Sequence, residues 1–333
     1  MLLSHDTYMR RALRLAANGL GNVSPNPMVG AVVVAPDGSI LGEGFHRRFG
    51  EAHAEVNAIN AIPAELRRRD VLSQCTMYVT LEPCSHFGKT PPCSLLVLKE
   101  GIGRVVVGAS DPFERVNGRG IDMLRDGGVE VETGILEHEC KSLNASFFTS
   151  HLSKRPFITL KWAQSADGFM DVKRNIDVNA KKFSDKTGTL LVHRLRANHD
   201  AVGVGSGTVI SDCPQLNVRE WYGVNPRKVF FDRTGRCGTP TGEIEEVLSD
   251  LYANGVISIL VEGGPTLLTS FIRKGLWDLA RIEVSAERLD TIGSACAPGI
   301  PKAPFATKRL GGNTLYYYSN NPLVNPFFIE YGL

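Results

Sequence analysis

The chain reads as two α/β domains in tandem, the first a three-layer α/β/α sandwich with a mixed sheet. Two observations carry that reading. Apolar runs of strand length alternate with stretches of helical period along most of the chain. The chain also changes character around residues 142–156, where Lys154-Arg155-Pro156 leads into a new apolar strand. A length of 333 residues suits two domains, each able to bury a core. The predicted domains are 1–148 and 149–333.

In the first domain, Asp6 caps a helix over residues 8–17, which Asn18-Gly19 ends. Pro25-Asn26-Pro27-Met28-Val29-Gly30 is a stiff loop, because two prolines fix their φ angles. Residues 31–34 form a buried strand and 40–46 its return strand, joined at Pro36-Asp37-Gly38. A helix follows over 53–60 and strands over 77–81 and 105–109, with another helix after Cys84. This order predicts helices on both sheet faces. It also places metal-ligand residues at two helix N-termini, where partial positive charge favours thiolate.

In the second domain, residues 157–162 form a strand, followed by Ala163, Ser165 and Asp167-Gly168. Ser184-Asp185 caps a helix through 189–196. Residues 200–204 form a buried strand ending in Gly205-Ser206-Gly207-Thr208, read as a flexible turn able to approach a phosphate. Strands follow over 229–232 and 257–262. The latter runs into Gly263-Gly264-Pro265-Thr266-Leu267-Leu268 and a helix, a geometry that favours phosphate. No G-x-G-x-x-G fingerprint follows a strand. The link from Asp232 to Val261 is short, with room for one helix, and residues 290–304 read as loop.

Composition excludes several classes. Hydrophobic residues make up 43% and charged residues 22%, as in an ordinary globular protein. A net charge of +2 gives no field for nucleic acid or membrane, which argues against a nucleic-acid-editing enzyme. No apolar run reaches membrane-spanning length, and the first residues lack a signal-peptide pattern, so the cytoplasm is the expected location. Seven cysteines in this length are no disulfide scaffold. Cys75, Cys140, Cys213, Cys237 and Cys296 read as free buried thiols.

Two short pieces carry the chemistry. His53-Ala54-Glu55 and Pro83-Cys84, with Cys93 nine residues on, read as one zinc site with an acid/base beside it. A catalytic zinc keeps three protein ligands and leaves one position for water. His53, Cys84 and Cys93 supply the three. Glu55 reaches the water without binding the metal, the logic of zinc nucleobase and nucleoside deaminases. H-x-E alone is weak and a lone cysteine is usually a small buried hydrophobe. Their combination is specific, although the usual C-x2-C spacing is widened.

The motifs go further. Pro25-Asn26-Pro27-x-Val29-Gly30, Gly44-x-His46, His53-Ala54-Glu55 and Thr80-Leu81-Glu82-Pro83-Cys84-Ser85-His86-x-Gly88-x-Thr90-Pro91-Pro92-Cys93 resemble the deaminase half of the bifunctional riboflavin-biosynthesis deaminase/reductases. The resemblance implies a cytidine-deaminase-like domain acting on a phosphoribosylated diaminopyrimidinone. It implies substrate contacts from Asn26, His46, His86, Lys89 and Asp111. Where that family often has D-P-N-P, this chain has Asp111-Pro112-Phe113-Glu114, so an expected Asn contact is replaced.

The second half resembles the reductase half of the same family. The residues that carry this are Lys161-x-Ala163-x-Ser165-x-Asp167-Gly168, Leu195-Arg196-Ala197, Asp212-x-Pro214-x-Leu216-x-Val218-Arg219 and Val261-Glu262-Gly263-Gly264-Pro265-Thr266-Leu267. That implies a dihydrofolate-reductase-like α/β fold, NADPH, and reduction of the ribosyl group to ribityl. NADPH contacts are implied for Ala163, Thr208, Asp212, Gly264, Pro265, Thr266, Leu267, Leu268, Thr269 and Ser270. Arg196, Leu216, Arg219 and Glu262 are implied at the sugar-phosphate end, with Lys161 and Asp167 for proton delivery or positioning. A G-E-S-x-W-I-T run common in the family is replaced here by residues 179–184. The implied enzyme is a homo-oligomer, dimer or tetramer, with a small-molecule phosphoribosyl pyrimidine as its substrate. The competing expectation is a deaminase whose shortened second half is only structural.

Overall fold

The computed structural model describes residues 4–87, 91–113, 118–175, 178–238 and 241–330. The chain separates into two compact units, Met1–Leu152 and Ser153–Leu333, a division a few residues beyond the expected boundary.

The first unit runs α1 (His5–Ala16), β1 (Gly30–Val34), β2 (Ile40–Phe45), α2 (Ala54–Asn60), α3 (Arg69–Leu72), β3 (Thr76–Leu81), α4 (Cys93–Glu100), β4 (Arg104–Ala109), α5 (Arg119–Asp126), β5 (Glu130–Thr133), α6 (Glu137–Leu143) and α7 (Ala145–Ser153). The expected order holds, with α3, α5, β5, α6 and α7 added. Asp6 is not the cap of α1; Ser4 holds that position, and Asp6 lies in the first turn. A carboxylate there still complements the helix dipole. The sheet order is β2-β1-β3-β4-β5. β1 runs antiparallel to β2 and β3, whereas β3, β4 and β5 are parallel. Ala58 and Ile59 of α2, Val97 of α4 and Leu124 of α5 bury one face with Val33, Val79 and Val107. Helix α1 packs on β1 and β3, and α6 on β4. The layers approach closely at glycine. A Cβ on Gly30 would lie 2.0 Å from the Ala12 carbonyl oxygen of α1, and one on Gly44 2.3 Å from the Ala58 nitrogen of α2.

The second unit runs β6 (Phe157–Gln164), β7 (Phe169–Val172), α8 (Lys186–Ala197), β8 (Ala201–Gly205), α9 (Ser206–Asp212), β9 (Arg227–Phe231), α10 (Ile244–Ala253), β10 (Ser258–Val261), α11 (Pro265–Arg273), β11 (Leu279–Val284), β12 (Gly293–Cys296), β13 (Ala306–Leu310), β14 (Asn313–Ser319) and α12 (Pro326–Glu330). Asp185 caps α8 as expected, accepting the Gly188 N–H at 2.7 Å. The seven-stranded sheet has the order β13-β14-β11-β6-β10-β8-β9. β11, β6, β10, β8 and β9 are parallel, and β14 and β13 close one edge in antiparallel fashion.

Two expectations fail here. Gly205-Ser206-Gly207-Thr208 is not a flexible turn: Gly205 caps α9 and the next three residues begin it. Residues 290–304 are not all loop, because β12 pairs with β7. The single helix α10 does fill the link from Asp232 to Val261.

Strand alternation divides the polar from the apolar in this sheet. Ile158, Leu160 and Trp162 of β6 and Ala280 and Ile282 of β11 enter one core with Leu248, Leu268 and Phe271. Thr159, Lys161 and Ala163 lie on the opposite face, with Arg281 and Glu283 beside Lys161 and Ala163 in register.

All seven cysteines are free. Cys75 and Cys140 are buried as expected, but Cys213, Cys237 and Cys296 are exposed. Among the described residues, no helix is long and apolar enough to cross a membrane.

Candidate functional site

Strand β3 delivers the first site. Its end runs through Glu82 and Pro83 into Cys84, which sits in the loop that leads to the expected helix, α4. Cys93 is the first residue of α4, and His53 is the cap of α2. The His53 Nδ1 atom lies 3.6 Å from the Cys84 sulfur and 3.4 Å from the Cys93 sulfur. A tetrahedral zinc bonded at about 2.3 Å to sulfur and 2.0 Å to nitrogen sets such atoms about 3.5 Å apart. All three ligand atoms lie within 4.8 Å of one another. The donor set and its spacing fit zinc.

The loop is braced for this. The N–H of Cys93 donates to the Cys84 sulfur at 3.2 Å, and the Ser94 hydroxyl donates to the Cys84 carbonyl at 3.0 Å. The Cys84 thiol is pulled well below its ordinary range, first by the Cys93 thiol and then, against burial, by His53. Glu55 is buried in the first turn of α2. Burial foremost, and then Cys84, push its carboxyl up to about 7. A carboxyl so placed can both accept and return a proton near neutral pH.

A cavity of about 300 Å³ opens over this cluster. Asn26, His46, His86 and Asp111 of the expected substrate set line it, beside His53, Glu55 and Cys84. Lys89 lies outside the described residues. His46 is buried and held at both ring nitrogens: Nδ1 meets the Ala52 carbonyl at 3.1 Å and Nε2 meets the Asn26 amide at 3.2 Å. Burial foremost lowers its pKa, which favours the neutral ring. Burial also raises Asp111, to about 6. The Asn26 loop is clamped in turn by Asn144, which both accepts from the Met28 N–H and donates to its carbonyl at 2.8 Å.

Sequence reasoning missed three contributors. Phe147 and His151 of α7 line the cavity with Phe113, their rings 4.5 Å and 5.4 Å from one another in sequence Phe147–His151 and His151–Phe113. Glu82 is buried and accepts N–H groups from Asp111, Gly118, Gly120 and Ile121 at 2.9–3.3 Å. A Cβ on Gly120 would lie 2.0 Å from the Pro83 carbonyl oxygen, so this approach requires glycine. Glu82 stood inside the quoted motif, and that was its only signal.

In the second unit, adjacent parallel strands β8 and β10 end at the N-termini of α9 and α11. The two starts converge, since a Cβ on Gly264 would lie 3.6 Å from the Thr208 hydroxyl. Pro265 has no N–H, and the Leu268 N–H is taken by the Gly264 carbonyl, which leaves Thr266 and Leu267 as first-turn donors. The Leu268 side chain points into the core, and the Ser270 hydroxyl bonds back to the Thr266 carbonyl. Ala163 is half-buried at the end of β6, and Asp212, at the end of α9, is paired with Arg174.

The expected sugar-phosphate set is differently disposed. Arg196 is not free for a phosphate: it grips Glu262 through Nε at 2.6 Å and Nη2 at 3.0 Å, and its Nη1 donates to the Asn217 carbonyl. Arg219 is exposed and meets the Asn217 side chain at 3.0 Å. Leu216 packs with Val202 and Val204 in a small core. Asp167 holds the N–H groups of Leu289 and Asp290. The Ser165 hydroxyl first, and then those two N–H groups, hold it down to about 2, so it is no proton donor near neutrality. Lys161 is desolvated, which lowers its pKa, among Glu262, Arg281, Glu283 and Arg196.

Comparison with known proteins agrees with both geometries. Residues 3–109 match the model of the cytidine and deoxycytidylate deaminase zinc-binding region, and residues 156–285 match the RibD C-terminal domain. The riboflavin biosynthesis protein RibD of Aquifex aeolicus is 36% identical over 308 residues, 81% of this chain and 84% of that protein. RibD of Escherichia coli is 31% identical over 353 residues, 90% and 93% of the two chains. The crystal structure of a Thermotoga maritima diaminohydroxyphosphoribosylaminopyrimidine deaminase/5-amino-6-(5-phosphoribosylamino)uracil reductase superposes with a TM-score of 0.82 at 34% identity, covering 95% of this chain and 98% of that one.

Proposed function

The chain belongs to the RibD family of riboflavin-biosynthesis proteins, and from that premise we propose that its halves act in succession on one phosphoribosyl pyrimidine. The first half hydrolytically deaminates 2,5-diamino-6-ribosylamino-4(3H)-pyrimidinone 5′-phosphate. The second reduces the ribosyl group of the product to ribityl. The match of residues 156–285 to the RibD C-terminal domain disfavours a second half kept only for structure.

The observation that carries the first activity is the His53, Cys84 and Cys93 triangle with Glu55 buried beside it. Zinc held there would supply the Lewis acidity that readies a water for attack. Glu55 takes a proton from the attacking water and returns it to the ring nitrogen. It then carries a proton to the departing ammonia, so that the exocyclic C–N bond is exchanged for a carbonyl. Neutral His46, fixed by Asn26 and Ala52, orients the ring. Asn26, His86, Lys89 and Asp111 complete the pocket. Glu55→Gln is expected to keep its zinc, by metal analysis, while ammonia release falls at least about a hundredfold. Wild-type turnover by that variant would remove Glu55 from the mechanism.

For the second activity, a nicotinamide dinucleotide would supply the hydride. Thr208, Gly264, Thr266 and Leu267 bind it where α9 and α11 begin, with Ala163 and Asp212 at the borders. We read NADPH over NADH. Arg236, whose Nη2 donates to the Ser206 hydroxyl at 2.7 Å, adds a cation beside the α9 start. Lys161 faces the substrate, and Arg219 and Glu262 its sugar-phosphate end. The reading also includes a homo-oligomer in the cytoplasm, where seven free cysteines stay reduced. Titration with NADPH and NADH, alongside turnover of the deaminated intermediate, tests it.

A further inference from the structure

The polar face of the second unit's sheet carries one group without a partner. Arg281 lies in β11, between Lys161 of β6 and Tyr317 of β14 in register. It is only 3% exposed, and neither Nη1 nor Nη2 has a hydrogen-bond partner among the described residues. A buried guanidinium left in that state is costly, because charge taken out of water needs a counter-charge.

No neighbouring carboxylate is hydrogen-bonded to those two atoms. Glu283, two residues along the same face, already accepts from the Ser184 hydroxyl and the Asn313 amide, each at 2.7 Å. Glu262 is bound in both oxygens by Arg196. Thr159 is bonded to His199 at 2.8 Å. The register neighbours, Lys161 and Tyr317, bring no acid, and neither is hydrogen-bonded to the Nη atoms. By side-chain type the face holds three bases, Lys161, Arg196 and Arg281, against two acids, Glu262 and Glu283, and the excess sits beside half-buried Lys161 and Ala163, through which the face reaches solvent.

We propose that Arg281 is an oxyanion anchor of the reductase half, taking a phosphoryl group of its substrate or of its dinucleotide through Nη1 and Nη2. A guanidinium presents two parallel donors that match two oxygens of one phosphoryl group, which a lysine cannot do. Arg196, the expected phosphate ligand, is spent on Glu262, which leaves Arg281 as the buried guanidinium with open donors. The inference rests on the reductase reading above.

The test is isothermal titration on the full chain with three probes: NADP+, the phosphorylated ribityl product and that product without its phosphate. Wild type, Arg281→Met and Arg281→Lys are compared. Arg281→Met is expected to lose at least about tenfold in affinity for one phosphorylated probe, with the dephosphorylated product unaffected. Loss confined to the phosphorylated product assigns the substrate phosphate; loss confined to NADP+ assigns the dinucleotide diphosphate. Arg281→Lys recovers part of the loss. The ligand-free Arg281→Met protein melts no lower than wild type, since an unpaired buried charge has been removed. Equal affinities in all three proteins overturn the proposal. So does a lower melting temperature with equal loss for every probe, which marks a structural arginine. Wild type that binds no probe refutes the reductase reading itself, and is distinguished by that from failure of Arg281 alone.

Discussion

The polar clusters of the two units are built on opposite terms. In the first, His53, Cys84 and Cys93 have little to bond except one another, at 3.4–3.6 Å, and their ligand atoms converge on one point. In the second, the polar residues satisfy each other: Arg196 with Glu262, Glu283 with Ser184 and Asn313, Asp167 with the Leu289 and Asp290 amides. Convergent atoms with no internal partner announce a ligand. Residues that share a motif yet are spent on one another do not, and there the single unspent group says more than the motif.

This contrast can be broken most sharply at Cys84. Cys84→Ala is expected to lose zinc, by metal analysis, and with it all measurable ammonia release, while dinucleotide titration of the same chain is unchanged. The converse substitution is Asp278→Ala. Asp278 is buried and accepts from Arg155, from the Ile158 N–H and from Asn321. Removing it leaves those donors unpaired at a cost of about 3 kcal/mol. Calorimetry should show the second unit melting earlier, with ammonia release intact. A shared loss of both activities in either variant would mean that the units do not stand apart energetically.

A smaller effect comes from Asp111. Its folded pKa, about 6, lies above the ordinary 3.8. The folded state therefore binds the proton more tightly than the unfolded chain does. This contribution is fully present below about pH 4 and is lost as pH rises towards about 6. Asp111→Asn should flatten that fall in melting temperature across the window; an unchanged slope would assign it elsewhere. The smallest effect is expected at Arg68, whose pair with Asp70 is exposed on both sides. Arg68→Ala should leave the midpoint of denaturant titration unchanged, because solvent screens an ion pair so exposed.

Legibility followed the same division. The zinc triangle could be read from sequence because thiols and imidazole at that spacing have few other uses. The aromatic wall could not, since Phe147 and His151 arrive from α7, a helix that looks like ordinary core. Strand β11 escaped notice for a physical reason. Leu279-Ala280-Arg281-Ile282-Glu283-Val284 places two charges on buried positions of a central strand, and buried charge disguises a strand as surface. Gly205-Ser206-Gly207-Thr208 misled in the other direction: small residues suggested a turn, but Gly205 is the cap of α9 and the next three residues form its first turn. Arg196 shows the limit of residue type alone, because chemistry apt for phosphate is equally apt for Glu262.

Glu82 has one more consequence. Its carboxylate ties down the backbone at Asp111 on one side and at Gly118, Gly120 and Ile121 on the other, while Gly120 rests on the Pro83 carbonyl. The end of β4 and the first turn of α5 are therefore tied to the residue that leads β3 into Cys84, so one carboxylate couples the rim of the pocket to the metal-holding turn.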